Sequence, residues 1–419
     1  MLDRRTPPNF STEFQFNLPS PEIIALKDNL SLVWLKEIQQ DIVKVDFVFE
    51  AGKWHEPKKG VSYFTGHMLE KGTSNFTSEK IASVLDQQGA QLEISSGADF
   101  TSVSLYSLTK NFEAVLPLVI EILSVPSFPE DEFALVSSIF LDTLKVNNEK
   151  NGFVASRIFN KNVFGGNHPY GRYLEEADIN AISTTDLRSF FLNSFSPIEI
   201  YVTGNLNKHQ FSLLTNEINR LRNQSKKMPS IIDSVGGLVA EKIVWDKSLQ
   251  SAIKIGKKTI NRSHADYPGM LLANHILGGY FGSRLMKNIR EEKGLTYGIH
   301  SSVTSYLNSG VFSISTETNK NKADQTISEI EKEIEKLLSV PVDKTELGTA
   351  KNHFLGNLQL EVSNPFAVTE KLKNIRLNKL PASYYQDLYK AIIVASDSDI
   401  LRITNEYLSP ASFHLAVVG

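Results

Sequence analysis

Residues 60–73 read Gly60-Val61-Ser62-Tyr63-Phe64-Thr65-Gly66-His67-Met68-Leu69-Glu70-Lys71-Gly72-Thr73. On a helix, Tyr63 and His67 stand one turn apart on one face, and Gly66 lies beside them at i+3. Of the three, only His67 carries a good metal ligand. The Tyr63 phenol stays protonated near neutral pH, and Gly66 has no side chain. Outward from this stretch, Thr77 is placed to cap a helix that carries Ile81, Val84 and Leu85 at helical spacing and stops at Gly89. Thr101, Val103 and Leu105 then alternate with serines and Tyr106 as a half-buried strand does, and Phe112 to Leu123 returns to helical spacing.

The chain repeats itself. Leu123-Ser124-Val125-Pro126 recurs as Leu338-Ser339-Val340-Pro341, 215 residues downstream, and Ile200-Tyr201-Val202-Thr203-Gly204 is matched at the same offset by Leu415-Ala416-Val417-Val418-Gly419. Two matches at one offset imply a duplication. The second half repeats the order of elements, with a helix near Met270 to Leu277, a strand at Val311 to Ser315 and a long charged helix from Ala323 to Leu338. Strands do not strictly alternate with helices, so each half reads as α+β. Asn223-Gln224-Ser225-Lys226-Lys227-Met228-Pro229-Ser230, continuing through Gly236-Gly237, reads as a linker. The expected organisation is a first repeat at 1–222, a linker at 223–239 and a second repeat at 240–419.

Composition narrows the function. The 44 Lys+Arg residues against 47 Asp+Glu leave a net charge of −3 without a dense basic cluster, so nucleic acid is not an expected partner. The longest apolar run, Val115 to Leu123, is broken by Pro117 and Glu121 and falls short of a membrane span of about 20 residues. There is no cysteine, which excludes disulfides, thiol catalysis and a Cys-rich zinc site. The start, Met1 to Pro8, lacks the apolar core of a secretory signal. A cytoplasmic location is expected, with the periplasm left open.

The 60–73 stretch resembles the pitrilysin/insulinase family of zinc peptidases, whose zinc helix carries His-x-x-Glu-His followed by Met-Leu-x-x-Gly-Thr. Here Tyr63 replaces the first histidine, Gly66 the glutamate that serves as general base, and His67 alone remains. The second half holds Leu277-Gly278-Gly279-Tyr280-Phe281-Gly282-Ser283-Arg284-Leu285 and then Ile289-Arg290-Glu291-Glu292-Lys293-Gly294-Leu295-Thr296-Tyr297-Gly298-Ile299. This is similar to the family's C-terminal signature, an Arg and a Tyr seven residues apart around Gly-Leu, and Arg290 and Tyr297 match the pair. Taken alone, Arg290 reads as a solvated helix-end residue and Tyr297 as a half-buried strand residue; their place in the second repeat favours a functional role. A guanidinium and a phenol can both donate hydrogen bonds to a substrate carbonyl.

The resemblance implies duplicated α+β halves of mostly antiparallel sheet flanked by helices, together forming one half of a clamshell. It also implies a third zinc ligand roughly seventy-five residues beyond the second histidine, where Asp142 stands nearest. Two ligands, His67 and Asp142, fall short of the three a catalytic zinc needs. The remaining histidines form no new His-x-x-x-His pair. The expectation is therefore a non-catalytic subunit without metal. It would pair with a homologous chain that carries the intact motif and the zinc, and would hold unfolded peptide through Arg290 and Tyr297. Two other readings stay open: a peptide-binding scaffold of the same fold, and weak zinc peptidase activity through His67 and Asp142.

Overall fold

A computed structural model describes residues 16–27, 30–36, 38–222 and 238–419. The expected linker at 223–239 lies, apart from Leu238 and Val239, outside the described residues. In the first half the elements are β1 (Glu22–Ala25), β2 (Ser31–Leu35), β3 (Ile42–Phe49), α1 (Val61–Met68), α2 (Ser78–Gln87), β4 (Gln91–Ser96), β5 (Thr101–Leu108), α3 (Phe112–Ser124), α4 (Glu130–Asn148), α5 (Asn151–Phe164), α6 (Glu176–Asn180), α7 (Thr184–Ser194), β6 (Pro197–Thr203) and α8 (Lys208–Ile218). The second half runs β7 (Ala240–Ile243), β8 (Gln250–Thr259), α9 (Tyr267–Gly278), a π-helical segment (Met286–Glu292), β9 (Thr296–Ser305), β10 (Gly310–Asn319), α10 (Ala323–Ser339), α11 (Lys344–Leu360), α12 (Pro365–Leu377), α13 (Tyr384–Val394), α14 (Asp397–Tyr407) and β11 (His414–Val418). Thr77 does cap α2, its hydroxyl accepting from the Lys80 N–H at 3.3 Å. Among the described residues, no helix is long and apolar enough to cross a membrane.

The duplication is visible strand by strand. The first sheet has the order β1-β2-β6-β3-β5-β4, and the second has β7-β11-β8-β10-β9. Apart from β1, each strand of the first sheet has a counterpart at the same place in the second. Among the described residues, the one parallel pair in each sheet, β2 with β6 and β7 with β11, is also shared. All other pairings are antiparallel. The fold is α+β, as expected.

Strand alternation gives each sheet two faces to cover. In the first sheet Leu32, Trp34, Val43, Val45, Phe47, Ile200 and Val202 point to one side and form a core with α1, α3, α7 and α8. The opposite side presents Val33, Leu35, Val48 and Tyr201, and these pack against Val368 and Leu372 of α12, a helix from the second half. The exchange is reciprocal. Ala155, Ile158 and Phe159 of α5 cover Ala252, Val311, Ala416 and Val418 on the second sheet. α5 and α12 follow α4 and α11 at matching points in the two repeats.

The contact between α12 and the first sheet also holds buried charge. Lys44 Nζ lies 3.1 Å from Asp46 Oδ1 and 2.9 Å from Glu370 Oε1. Lys373 Nζ is 3.2 Å from Glu370 and 3.8 Å from Asp46, and Arg376 pairs with Glu199. Burial works against the Lys44 charge, but Asp46 and Glu370 outweigh it and raise its pKa. Asp46 is fully buried and joins two cations to the sheet. Removing it strands buried positive charge, so Asp46→Ala should destabilise the protein by about 3–5 kcal/mol in urea unfolding. Adding Lys44→Met should recover part of that loss. A single substitution within 0.5 kcal/mol of the parent would contradict this account of the contact.

Candidate functional site

α1 begins at Gly60, whose φ of 90° turns the chain into the helix from a left-handed conformation that favours glycine. The Glu56 carboxylate accepts from the Gly60 and Ser62 N–H groups, at 3.1 Å each, and so caps the helix start. It is held in turn by Arg172 at 3.0 Å. The helix places Tyr63 and His67 side by side as their spacing requires, with ring centres 4.1 Å apart. Gly66 faces β4. A Cβ there would lie 2.5 Å from Ser96 Oγ and 3.2 Å from Ile94 Cγ2, so the missing side chain lets α1 approach the strand closely.

The partner helix α4 does not supply a ligand. The Phe140 ring lies 4.9 Å from Tyr63 and 5.3 Å from Phe64, and occupies the side of α4 that faces α1. Asp142 stands two residues further, about 200° around the helix. Its side chain is 74% exposed, with Lys145 3.8 Å away. Asp142, the residue nearest the family's third ligand position, does not face His67, because the register of α4 turns Phe140 inward and Asp142 outward. Among the described residues, no group of three or more His, Cys, Asp or Glu side chains converges as a metal site. The donors at this position do not fit the catalytic zinc that the family resemblance implies. Burial lowers the His67 pKa, with Glu70 opposing and Lys71 assisting, and so favours the neutral ring.

What fills the position was not read from the sequence. A cavity of about 340 Å³ opens beside Tyr63, with Phe140, Leu144, Phe153, Tyr173 and Tyr306 among its walls. The wall is largely aromatic and apolar. The signal for it was the i, i+4 pair Phe140 and Leu144, whose facing could be settled only once α4 was docked on α1.

Arg290 and Tyr297 stand on adjoining elements of the second half. The π-helical segment packs against β9 and is anchored by the buried Ile289 and Met286. Asn288 donates to Glu333 on α10 at 2.8 Å, and Lys293 pairs with Glu329 on the same helix. The Arg290 guanidinium lies 4.9 Å from the centre of the Phe281 ring. The turn back into β9 passes through Gly294 at φ 59°, and the Leu295 N–H bonds to the Ile289 carbonyl at 2.9 Å. Tyr297 then emerges 91% exposed on β9, the outer strand of the second sheet. A phenol that open is neither packed in a core nor held for stability, so the half-buried alternative does not describe it. β9 corresponds in topology to β4, the outer strand of the first sheet, on which α1 rests.

Comparison with known proteins agrees with this duplicated fold. Residues 32–168 match the family described as Insulinase (Peptidase family M16), and residues 181–354 match Peptidase M16 inactive domain. An uncharacterized zinc protease of Rickettsia bellii is 24% identical over 407 residues, covering 94% of this chain and 96% of its own. The uncharacterized zinc protease YmxG of Bacillus subtilis is 24% identical over 320 residues, covering 75% of this chain and 77% of its own. Among solved structures, a peptidase M16 inactive domain from Pseudomonas fluorescens superimposes with a TM-score of 0.86 at 22% identity, over 95% of this chain and 98% of that one. The periplasmic protease PqqL of Escherichia coli matches with a TM-score of 0.78 at 12% identity, over 98% of this chain but 48% of that one. This chain thus has the extent of about half of the longer protein. With matches over most of its length and the duplicated fold to support them, the chain belongs to the insulinase (M16) family of peptidases.

Proposed function

We propose that this chain is the non-catalytic subunit of a heterodimeric zinc metallopeptidase. It closes the chamber over a homologous subunit that carries the intact His-x-x-Glu-His motif, and it holds unfolded peptide substrate. The observation that carries this reading is the contrast between the two constellations. The metal position is filled by Tyr63 and Phe140, whereas Tyr297 projects fully exposed beside the segment that bears Arg290.

In this role the Arg290 guanidinium and the Tyr297 hydroxyl donate hydrogen bonds to a peptide carbonyl oxygen. They favour the oxyanion formed as water attacks in the partner's site. Phe281 holds the guanidinium in place through its ring face. The zinc and the general base belong to the partner. His67 and Asp142 do not act together in this role, because Asp142 points away from the site.

A second reading has one observation in its favour. The apolar cavity beside Tyr63 adjoins the outer strand β4, an arrangement that suits an extended peptide with an apolar side chain whether or not cleavage follows. Binding of unfolded peptide by the isolated chain, with no peptidase activity on addition of any homologue carrying the intact motif, would favour this scaffold role.

Co-expression with such a homologue should yield a peptidase in which Arg290→Ala lowers kcat/KM about 100-fold or more. Tyr297→Phe should lower it as well, while the melting temperature stays within about 1 °C, since the side chain is exposed. Unchanged rates in both variants would exclude the proposed role. His67→Ala in this chain should leave the zinc content of the complex at that of the parent. Loss of one zinc equivalent would place a metal in this subunit's α1 after all.

A further inference from the structure

The pair of helices α9 and α11 occupies in the second half the place that α1 and α4 occupy in the first. There the facing side chains are not aromatic hydrocarbons. His275 of α9, only 7% exposed, sets its Nε2 3.0 Å from the Nδ1 of His353 on α11. One turn further along α11, the Asn357 carboxamide lies 3.4 Å from the same Nδ1. Tyr280 stacks on His275 with ring centres 4.7 Å apart and an interplanar angle of 12°, and its ring lies 4.8 Å from His353. Gly279 allows this cover, since a Cβ there would stand 2.8 Å from His275 Nδ1. The remaining side opens into a cavity of about 410 Å³, whose wall includes His275, Asn357, Arg262, Glu361 and Lys371.

We propose that His275 Nε2, His353 Nδ1 and Asn357 Oδ1 form a binding site for one divalent late first-row transition ion, copper(II) or zinc. Two imidazole nitrogens, each about 2.0–2.1 Å from one ion, stand about 2.9 Å apart at a right angle and about 3.3 Å apart at a tetrahedral angle. The observed 3.0 Å falls between these, so the spacing of the two nitrogens suits a single ion. The carboxamide presents its oxygen after an amide flip, which exchanges two nearly equivalent atoms. Each neutral ring carries one proton, and one of the two now lies between His275 Nε2 and His353 Nδ1. In the tautomers that bind the ion these protons lie on His275 Nδ1 and His353 Nε2, so no proton is released, and water from the cavity completes the coordination. Burial and the neighbouring His353 push the His275 pKa down to about 4, so its ring is in the neutral, ligating form near pH 7.

The proposal is independent of the peptidase reading, and the test needs no partner. Chelator-stripped full-length protein would be titrated at pH 7.5 with copper(II) chloride and, separately, zinc chloride by isothermal calorimetry. One equivalent of at least one ion should bind to the parent protein. His353→Ala, on an exposed helix surface, should weaken that binding at least tenfold. Asn357→Asp, which supplies a charged oxygen in the same place, should strengthen it at least fivefold. Circular dichroism melting establishes that each variant is folded. Absence of binding by the parent, or equal binding by His353→Ala, would overturn the proposal, as would an Asn357→Asp variant that binds no better than the parent.

Discussion

The structure depends on an exchange of helices between its two halves. Each sheet has a face that its own repeat covers and a second face that it cannot. α5 leaves the first repeat to cover the second sheet, and α12 makes the reverse journey. The two contacts differ in chemistry. α5 lies on small apolar side chains, whereas α12 sits over Lys44, Asp46 and Glu199 with Glu370, Lys373 and Arg376 opposite them in sign. Burial of apolar area supplies much of the attraction, and the charges fix the register, because a buried charge displaced from its partner is expensive. Neither repeat can present a covered sheet alone, so the relative placement of α1, β4, the π-helical segment and β9 follows from the exchange.

On that frame the duplicated helix pairs have diverged. α1 against α4 packs Tyr63, Phe64 and Phe140 together, where three aromatic rings fill a position that resembles a metal site in sequence. α9 against α11 instead faces two imidazoles across 3.0 Å. The turn that follows α9 does two tasks at once, since Tyr280 covers the histidines and Phe281 covers Arg290. The exposed Tyr297 is connected to the same region through the packing of β9 on the π-helical segment.

The duplication was legible because its two anchors recur at structurally equal points. Leu-Ser-Val-Pro ends α3 and α10, and the other match lies on β6 and β11, the strands paired in parallel at the corresponding position in each sheet. The caps and alternation that located α2 and β5 are local signals that the fold leaves in force. The exchange of α5 and α12 was not legible, since an amphipathic pattern states that a face is buried but not against which sheet. The outward facing of Asp142 was not legible for a related reason. A step of two residues along α4 rotates a side chain to the opposite face, and the inward position belongs to Phe140. His275 and His353 lie on different helices, and no spacing rule joins them.

The central claim is that the exposed edge bearing Tyr297 is completed by a second, catalytic chain and its peptide. Hydrogen–deuterium exchange of the protein alone, with a homologue that carries the intact motif, and with that homologue plus an unfolded peptide tests it directly. The account predicts added protection in residues 296–299 of β9 and in the π-helical segment once both are present, with α5 and α12 unchanged. Exchange in β9 that is the same in all three states would contradict it.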